Sequence, residues 1–228
     1  MARLAGARRR GDGFRLTTRL SHWAGVAAAL HGRPIAVEQR ISQLHATRPA
    51  IVLGRAQKVD DGFEARAGAA GFDVTRRVSG GSAVVVGPGE CVWIDVVIAR
   101  GAPGWSDDIG KAGCWMGDQW LAALSSAGVP DLKVHRTAMD KRPGSDAVCF
   151  AGVASGEVLR ADGAKLVGVS QRRTRGWALF QCAIPLRWDP SPLIEVLGPR
   201  AEAGRHAAVA TLEASVADAA IAALAELL

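Results

Sequence analysis

Apolar residues at Leu16, Leu20, Trp23, Ala27 and Leu30 recur at three- and four-residue steps, which predicts an amphipathic helix ended by Gly32 and Pro34. The pattern then changes. Pro49 leads into Ala50-Ile51-Val52-Leu53, an unbroken apolar run closed by Gly54 that reads as a buried strand. Asp60 or Asp61 is placed to cap a short helix through Ala70, with Gly71 as its stop. Three β-rich stretches follow, Asp73 to Val78, Ala83 to Val86 and Cys91 to Ile98, parted by Ser/Gly and Gly87-Pro88-Gly89 turns. Ser106, Asp107 and Asp108 signal the start of a long helix that Gly128-Val129-Pro130 ends, with Trp115, Leu121 and Leu124 facing the core. Leu132 to Arg136, Ala147 to Ala151, Glu157 to Arg160 and Lys165 to Ser170 read as further strands, the last two joined by Asp162-Gly163, a pair suited to a tight hairpin. Trp177 to Leu186 adds another strand. Asp189-Pro190 opens a helix to about Leu197, and Ser215 begins an Ala/Leu-rich terminal helix with Asp218 supporting its start. Hairpins and helices interleave, so the pattern predicts an α+β fold with a mixed, largely antiparallel sheet flanked by helices.

Composition narrows the class. A chain of 228 residues suits one main core, and 49% hydrophobic against 22% charged residues excludes disorder over its whole length. No apolar run is long enough to cross a bilayer, and the start, Met1 to Arg10, lacks the apolar core of a secretory signal, so the expected location is cytoplasmic, without membrane association. Residues 1–13 are basic and glycine-rich and are expected to form a flexible tail. Cys91, Cys114, Cys149 and Cys182 are far apart, without the paired spacing of zinc or thiol-disulfide sites, and are expected to be reduced and mostly buried. His22, His31, His45, His135 and His206 show no ligand spacing, so no metal site is assigned to side chains. The net charge of +6 suits an anionic partner. Nucleic acid is not that partner: no recognition-helix or aromatic RNA-binding pattern accompanies the arginine clusters.

Two segments carry candidate chemistry. In Arg76-Arg77-Val78-Ser79-Gly80-Gly81-Ser82-Ala83-Val84-Val85, two arginines end one strand, a hydroxyl and two glycines make the turn, and an apolar strand departs. Such a loop lets backbone N–H groups approach an anion; its bland reading is a hairpin with solvated arginines. In Asp162-Gly163-Ala164-Lys165-Leu166-Val167-Gly168-Val169-Ser170-Gln171-Arg172-Arg173, a lysine stands directly after a tight turn at the head of an apolar strand. The sheet would hold that ammonium in place.

Together these segments resemble the two signatures of the lipoate-protein ligase and octanoyltransferase superfamily: an arginine-serine-glycine loop, then a glycine-x-lysine strand. Arg48 to Gln57 is similar to the strand preceding the first signature, and Phe180-Gln181-Cys182-Ala183-Ile184 to a later one, so the resemblance spans roughly residues 48 to 190. It implies a biotin/lipoate protein ligase-like (class II synthetase-like) catalytic domain over residues 14–200, with 201–228 as a helical extension packed on it. It implies ATP and magnesium as cofactors of a ligase, lipoate or octanoate as acyl substrate, and a lipoyl-carrier domain or acyl carrier protein as partner. Lys165 would contact the acyl carbonyl and α-phosphate. Arg76, Arg77, the backbone of Ser79, Gly80, Gly81, Ser82, Ala83, Val84 and Val85, and Gly168 would enclose the activated acid. The chain departs from the ligase pattern where a His-Asp pair and asparagines usually stand, at Val86, Gly87, Glu90 and Val92, and Ser82 replaces the third glycine. Cys149-Phe150 is similar to the context of the thioester-forming cysteine of related transferases, so a Cys149-dependent transferase and a non-catalytic acyl- or adenylate-binding homologue stand as alternatives.

Overall fold

The computed structural model describes residues 20–37 and 40–228. The basic tail and the Leu16 end of the first expected helix lie outside those residues. In chain order the elements are β1 (Ser21–Gly25), α1 (Ala27–Gly32), β2 (Ile41–Ala46), β3 (Ala50–Leu53), α2 (Phe63–Ala69), β4 (Asp73–Arg76), β5 (Val84–Val86), β6 (Cys91–Ala99), α3 (Ile109–Ser126), β7 (Leu132–Val134), β8 (Val158–Arg160), β9 (Lys165–Arg173), β10 (Trp177–Pro185), α4 (Ser191–Leu197), α5 (Pro199–Glu202) and α6 (Ala214–Leu227).

Seven strands form a sheet in the order β1-β2-β6-β10-β9-β8-β7, antiparallel except for the β1–β2 edge. A smaller sheet, β4-β3-β5, pairs β3 parallel to β4 and antiparallel to β5. The fold is therefore the expected α+β arrangement. β3 explains its own unbroken apolar sequence: Ile51 and Leu53 pack among α2 and α4, while Ala50 and Val52 pack with Leu30, Leu44 and Trp93 on the opposite face. Both faces are covered, so no position on it is polar.

α3 starts where Asp108 accepts a hydrogen bond from the Lys111 N–H at 2.9 Å. Its buried side, Ala112, Met116, Trp120, Ala123 and Leu124, joins Ile94, Val96, Phe180 and the Ala217, Ala220, Ile221 and Leu224 face of α6 in the main core. Trp115 packs at the flank of that core, and Leu121, expected to face inward, is only half-buried because the buried stripe passes beside it.

Three elements differ from expectation. Ser21–Gly25 is an edge strand, not part of a helix: its pairing with β2 overrides a helical spacing that only Trp23 carried there. Ala147 to Ala151 is a turn ending in a short 3-10 helix, Cys149–Ala151, because the Ala147 and Val148 N–H groups bond back to Gly144; only Val148 keeps a bridge, to Ala83. α6 begins at Ala214 without a side-chain cap, so the Ser215–Asp218 start signal is not used.

The segment before α6 also shapes β9. Lys165 N–H donates to Ala208 O at 2.8 Å and Lys165 O accepts from Ala210 N–H at 2.9 Å. On the other side of the sheet, Arg33 pairs with Asp95 of β6 at 2.7 Å, with side chains 9% and 1% exposed, and the same carboxylate accepts from Trp93 Nε1 at 2.8 Å. Burial pushes the Asp95 carboxyl up, and Arg33, Trp93 and Gln181 oppose it. This pair ties the end of α1 to the sheet centre. Removing one partner strands the other's charge, so Arg33→Leu is expected to cost about 3–5 kcal/mol of stability. Urea unfolding of the variant against wild type measures the loss.

Candidate functional site

The arginine-serine-glycine loop is built by close approach. Arg77 N–H donates to Leu53 O at 3.0 Å and Arg55 N–H to Ser79 O at 3.1 Å, so the loop lies across the end of β3. A Cβ on Gly54 would sit 1.6 Å from Gly81 O, and Gly81 itself, at φ +102°, leaves room for the Arg77 guanidinium, which a Cβ would meet at 2.4 Å. Gly80 faces open space.

Ser79 then fastens this loop to the lysine strand. Its buried hydroxyl lies 2.8 Å from Ser170 Oγ on β9 and 2.8 Å from Gln181 Oε1 on β10. The two signatures, remote in sequence, are thereby held side by side. Ser82 is occupied differently: its hydroxyl donates to Ser145 O, tying down the turn before Cys149.

Lys165 is 1% exposed. Its ammonium pairs with Glu157 Oε2 at 2.7 Å, donates to Cys149 O and Gly152 O at 3.0 Å each, and sits 4.8 Å from the Phe150 ring centroid. All three N–H bonds have partners. Glu157 is in turn fixed by the Ala154 and Val169 N–H groups at 2.8 and 3.1 Å. Pairing and hydrogen bonding of this kind offset the cost of burying both charges. Gly168 keeps the strand surface clear beside Phe150 and the Lys165 stem, which a Cβ would meet at 3.2 and 3.4 Å.

Three spaces adjoin. An apolar cavity of about 50 Å³ is lined by Val52, Val84, Val86, Phe150, Gly168 and Trp93. A chamber of about 350 Å³ is lined by Gly80, Gly81, Ser82, Gly152, Glu157 and Lys165. Arg77, Cys149, Val169 and Ser170 line both, and so form the junction between them. Beyond the chamber, sharing Gly80, Gly81 and Gln171 with it, a groove of about 780 Å³ carries Arg55, Lys58, Arg172, Arg173 and Arg200, with Asp146 its single carboxylate.

Arg77 is the cation of the junction. It is 5% exposed, its Nε donates to Gly80 O at 2.9 Å, its Nη2 lies 3.8 Å from Cys149 Sγ, and no carboxylate among the described residues pairs with it. Cys149 is half-buried there, whereas burial pushes the thiols of Cys91 and Cys182 up to about 12, which keeps them protonated. Arg76 is exposed and donates to Gly54 O and Gln57 O, bracing the loop from outside the three spaces. Ala83 is buried and accepts from Cys149 N–H at 2.9 Å, Val84 lines the apolar cavity, and Val85 packs on the opposite face of its strand.

Glu157, His31 and the buried network behind the loop are not signalled by the two motifs. Asp95 was findable, as a carboxylate inside the apolar run Cys91 to Ile98 that demands a buried partner. His31 carried no signal. Its ring packs against Trp93 with centroids 4.4 Å apart and lines the apolar cavity. Burial, with the charges of Arg77 and Arg33, pushes its imidazole down to about 4, so it is neutral at pH 7.

The family of the lipoyl protein ligase A/B catalytic domain matches residues 28–227. No curated protein matches significantly. Among solved structures, a lipoate-protein ligase A bound with ATP superposes with a TM-score of 0.59 at 20% identity, covering 82% of this chain and 71% of that one. Protein Ta0514 of T. acidophilum with bound lipoic acid gives 0.57 at 19% identity, covering 82% and 71%. A bi-partite lipoate protein ligase from Thermoplasma acidophilum, described with its E2 lipoyl domain, gives 0.53 at 16% identity, covering 91% and 84%. At these identities the likeness is one of fold.

Two outcomes follow from this geometry. Gly54→Ala forces the loop off β3 and is expected to cost about 1–3 kcal/mol, whereas Gly80→Ala meets no protein atom and stays within about 0.5 kcal/mol of wild type; denaturant unfolding of both compares them. The second concerns acid. The unfolded chain protonates His31 near its ordinary 6.5 and the native chain only near 4, so the stability from keeping it neutral is complete above about 6.5 and is lost as pH falls towards 4. His31→Asn should remove that part of the slope in unfolding series between pH 4.5 and 7.5.

Proposed function

Because the chain belongs to the lipoyl protein ligase A/B catalytic-domain family, we propose that it is an enzyme that attaches a lipoyl or octanoyl group to a lysine of a carrier domain through an acyl-adenylate. The observation that carries this reading is the order of the spaces: an apolar cavity for a tail, a buried unpaired guanidinium at the junction for an acyl head, and a basic groove for an anionic leaving group. A buried cation without a carboxylate is stabilised by an anionic ligand, and Arg77 is placed to receive one.

The groove fits a phosphate chain. Arg55, Lys58, Arg172 and Arg200 line it with Arg173, whose guanidinium is held over the Trp105 ring and donates to Ser106 O. The donors for magnesium are fewer: Asp146 is the one carboxylate of the groove, Glu157 is held by Lys165, and no cluster of three metal-ligating side chains occurs among the described residues. ATP, when bound, would supply the adenylyl group that activates the acid, with pyrophosphate as the leaving group. Arg77 would hold the acyl carboxylate, and the Gly80-Gly81 backbone would lie along the phosphates. Lys165 would reach the developing charge by exchanging its Cys149 or Gly152 carbonyl for a substrate oxygen while Glu157 keeps it in place. The carrier lysine then attacks the acyl carbon, forming the amide as AMP leaves. The basic groove would also attract an acidic carrier domain.

The position of Cys149 favours a second route. Its Sγ lies beside Arg77 where cavity and chamber meet. There the thiolate can attack an acyl thioester, release the donor thiol, and pass the acyl group to the carrier lysine without ATP.

Intact-mass measurement of a lipoyl-domain acceptor, incubated with octanoate or lipoate with and without ATP, or with an octanoyl thioester, tests both routes. An acyl mass gain is expected with wild type, reduced about 100-fold or more in a variant that removes both charges of the buried pair, Lys165→Met with Glu157→Gln. No gain under any condition, or an equal gain with the folded variant, would reject the enzymatic reading. A hydroxylamine-sensitive adduct that Cys149→Ala abolishes selects the thioester route.

A further inference from the structure

The apolar cavity contains one polar group that neither the loop nor the lysine explains. His31 stands at the end of α1 with its Nδ1 3.5 Å from Gln181 Nε2. The Gln181 amide is oriented by its neighbours: Oε1 accepts from Ser79 Oγ at 2.8 Å, and Nε2 lies 3.4 Å from Asp95 Oδ1. Its NH2 therefore faces both Asp95 and His31, which makes His31 Nδ1 an acceptor and leaves the ring proton on Nε2. That Nε2 is buried and has no hydrogen-bond partner among the described residues.

A neutral imidazole N–H held against Trp93, in a space walled mainly by valines, Phe150 and Gly168, with Arg77, Cys149, Ser170 and Gln181 also lining it, is a donor without an acceptor among the described residues. Leaving such a group unsatisfied carries a penalty that a ligand acceptor removes. The cavity is small, so the end of an acyl tail that enters it comes close to the ring. We propose that His31 Nε2–H is a specificity-determining donor of the acyl cavity and that the preferred acyl group carries an oxygen acceptor, a hydroxyl or keto group, in its tail.

This inference rests on the acyl-transfer reading, and its test separates the two. Calorimetric binding of octanoate and ω-hydroxyoctanoate is measured on wild type and on His31→Phe, which keeps a ring of similar size and lacks the donor. Wild type is expected to bind the hydroxy acid about tenfold or more tightly than octanoate, and the variant to reverse that order. The same ratio in both proteins overturns the role of His31 while leaving acyl binding intact; no binding of either acid to wild type overturns the acyl-adenylate reading and this inference with it. Should His31→Phe fail to fold, the wild-type imidazole ¹⁵N spectrum decides: the Nε2–H resonance shifts with the hydroxy acid and not with octanoate, and an equal response to both refutes the proposal.

Discussion

The site depends on a single hydroxyl. Ser79 Oγ lies within hydrogen-bonding distance of Ser170 on one strand and Gln181 on the next, and in doing so holds a glycine loop from the small sheet against the centre of the large one. Everything else at the junction inherits its position from that brace. Arg77 is aimed by the loop, Gln181 is oriented by the same bond, and through Gln181 so is the tautomer of His31. A serine in a Gly-rich loop looks like a ligand-binding hydroxyl; here it is internal fastening, and the side of the loop left open belongs to Gly80.

Much of the fold was legible because its elements obey simple periods. The long helix with its Asp108 cap, the Asp162-Gly163 hairpin, the strand Ala50 to Leu53 and the paired strands that flank Gly163 all follow from local chemistry. Two of the failures share a cause. Ser21 to Gly25 and Ala147 to Ala151 are short segments whose conformation is set by partners elsewhere in the chain, β2 for the first and the turn at Gly144 with Ala83 for the second. Periodicity cannot report a partner. No helix among the described residues is long and apolar enough to cross a membrane.

The site was legible to the extent that its motifs are local. The loop and the lysine strand could be read from residue order, and Cys149 from its neighbour Phe150. What pairs with what could not. Nothing near Lys165 in the sequence announces that Glu157 neutralises it, and nothing near Arg77 announces that no carboxylate does. In the proposed reaction that contrast separates their roles: one cation is satisfied internally and would exchange a bond to act, while the other would receive an anion. Both facts arise from burial, which only the assembled sheets create.

The main chain of Lys165 has a further tie. Its N–H and C=O are both bonded to the strand-like segment at Ala208 and Ala210, far along the chain and outside both signatures. A polypeptide cut before residue 207 would retain every motif by which the chain can be recognised, and would still release the splint that sets the depth at which this lysine enters the sheet. Recognition and competence are thus encoded in different stretches of the same molecule.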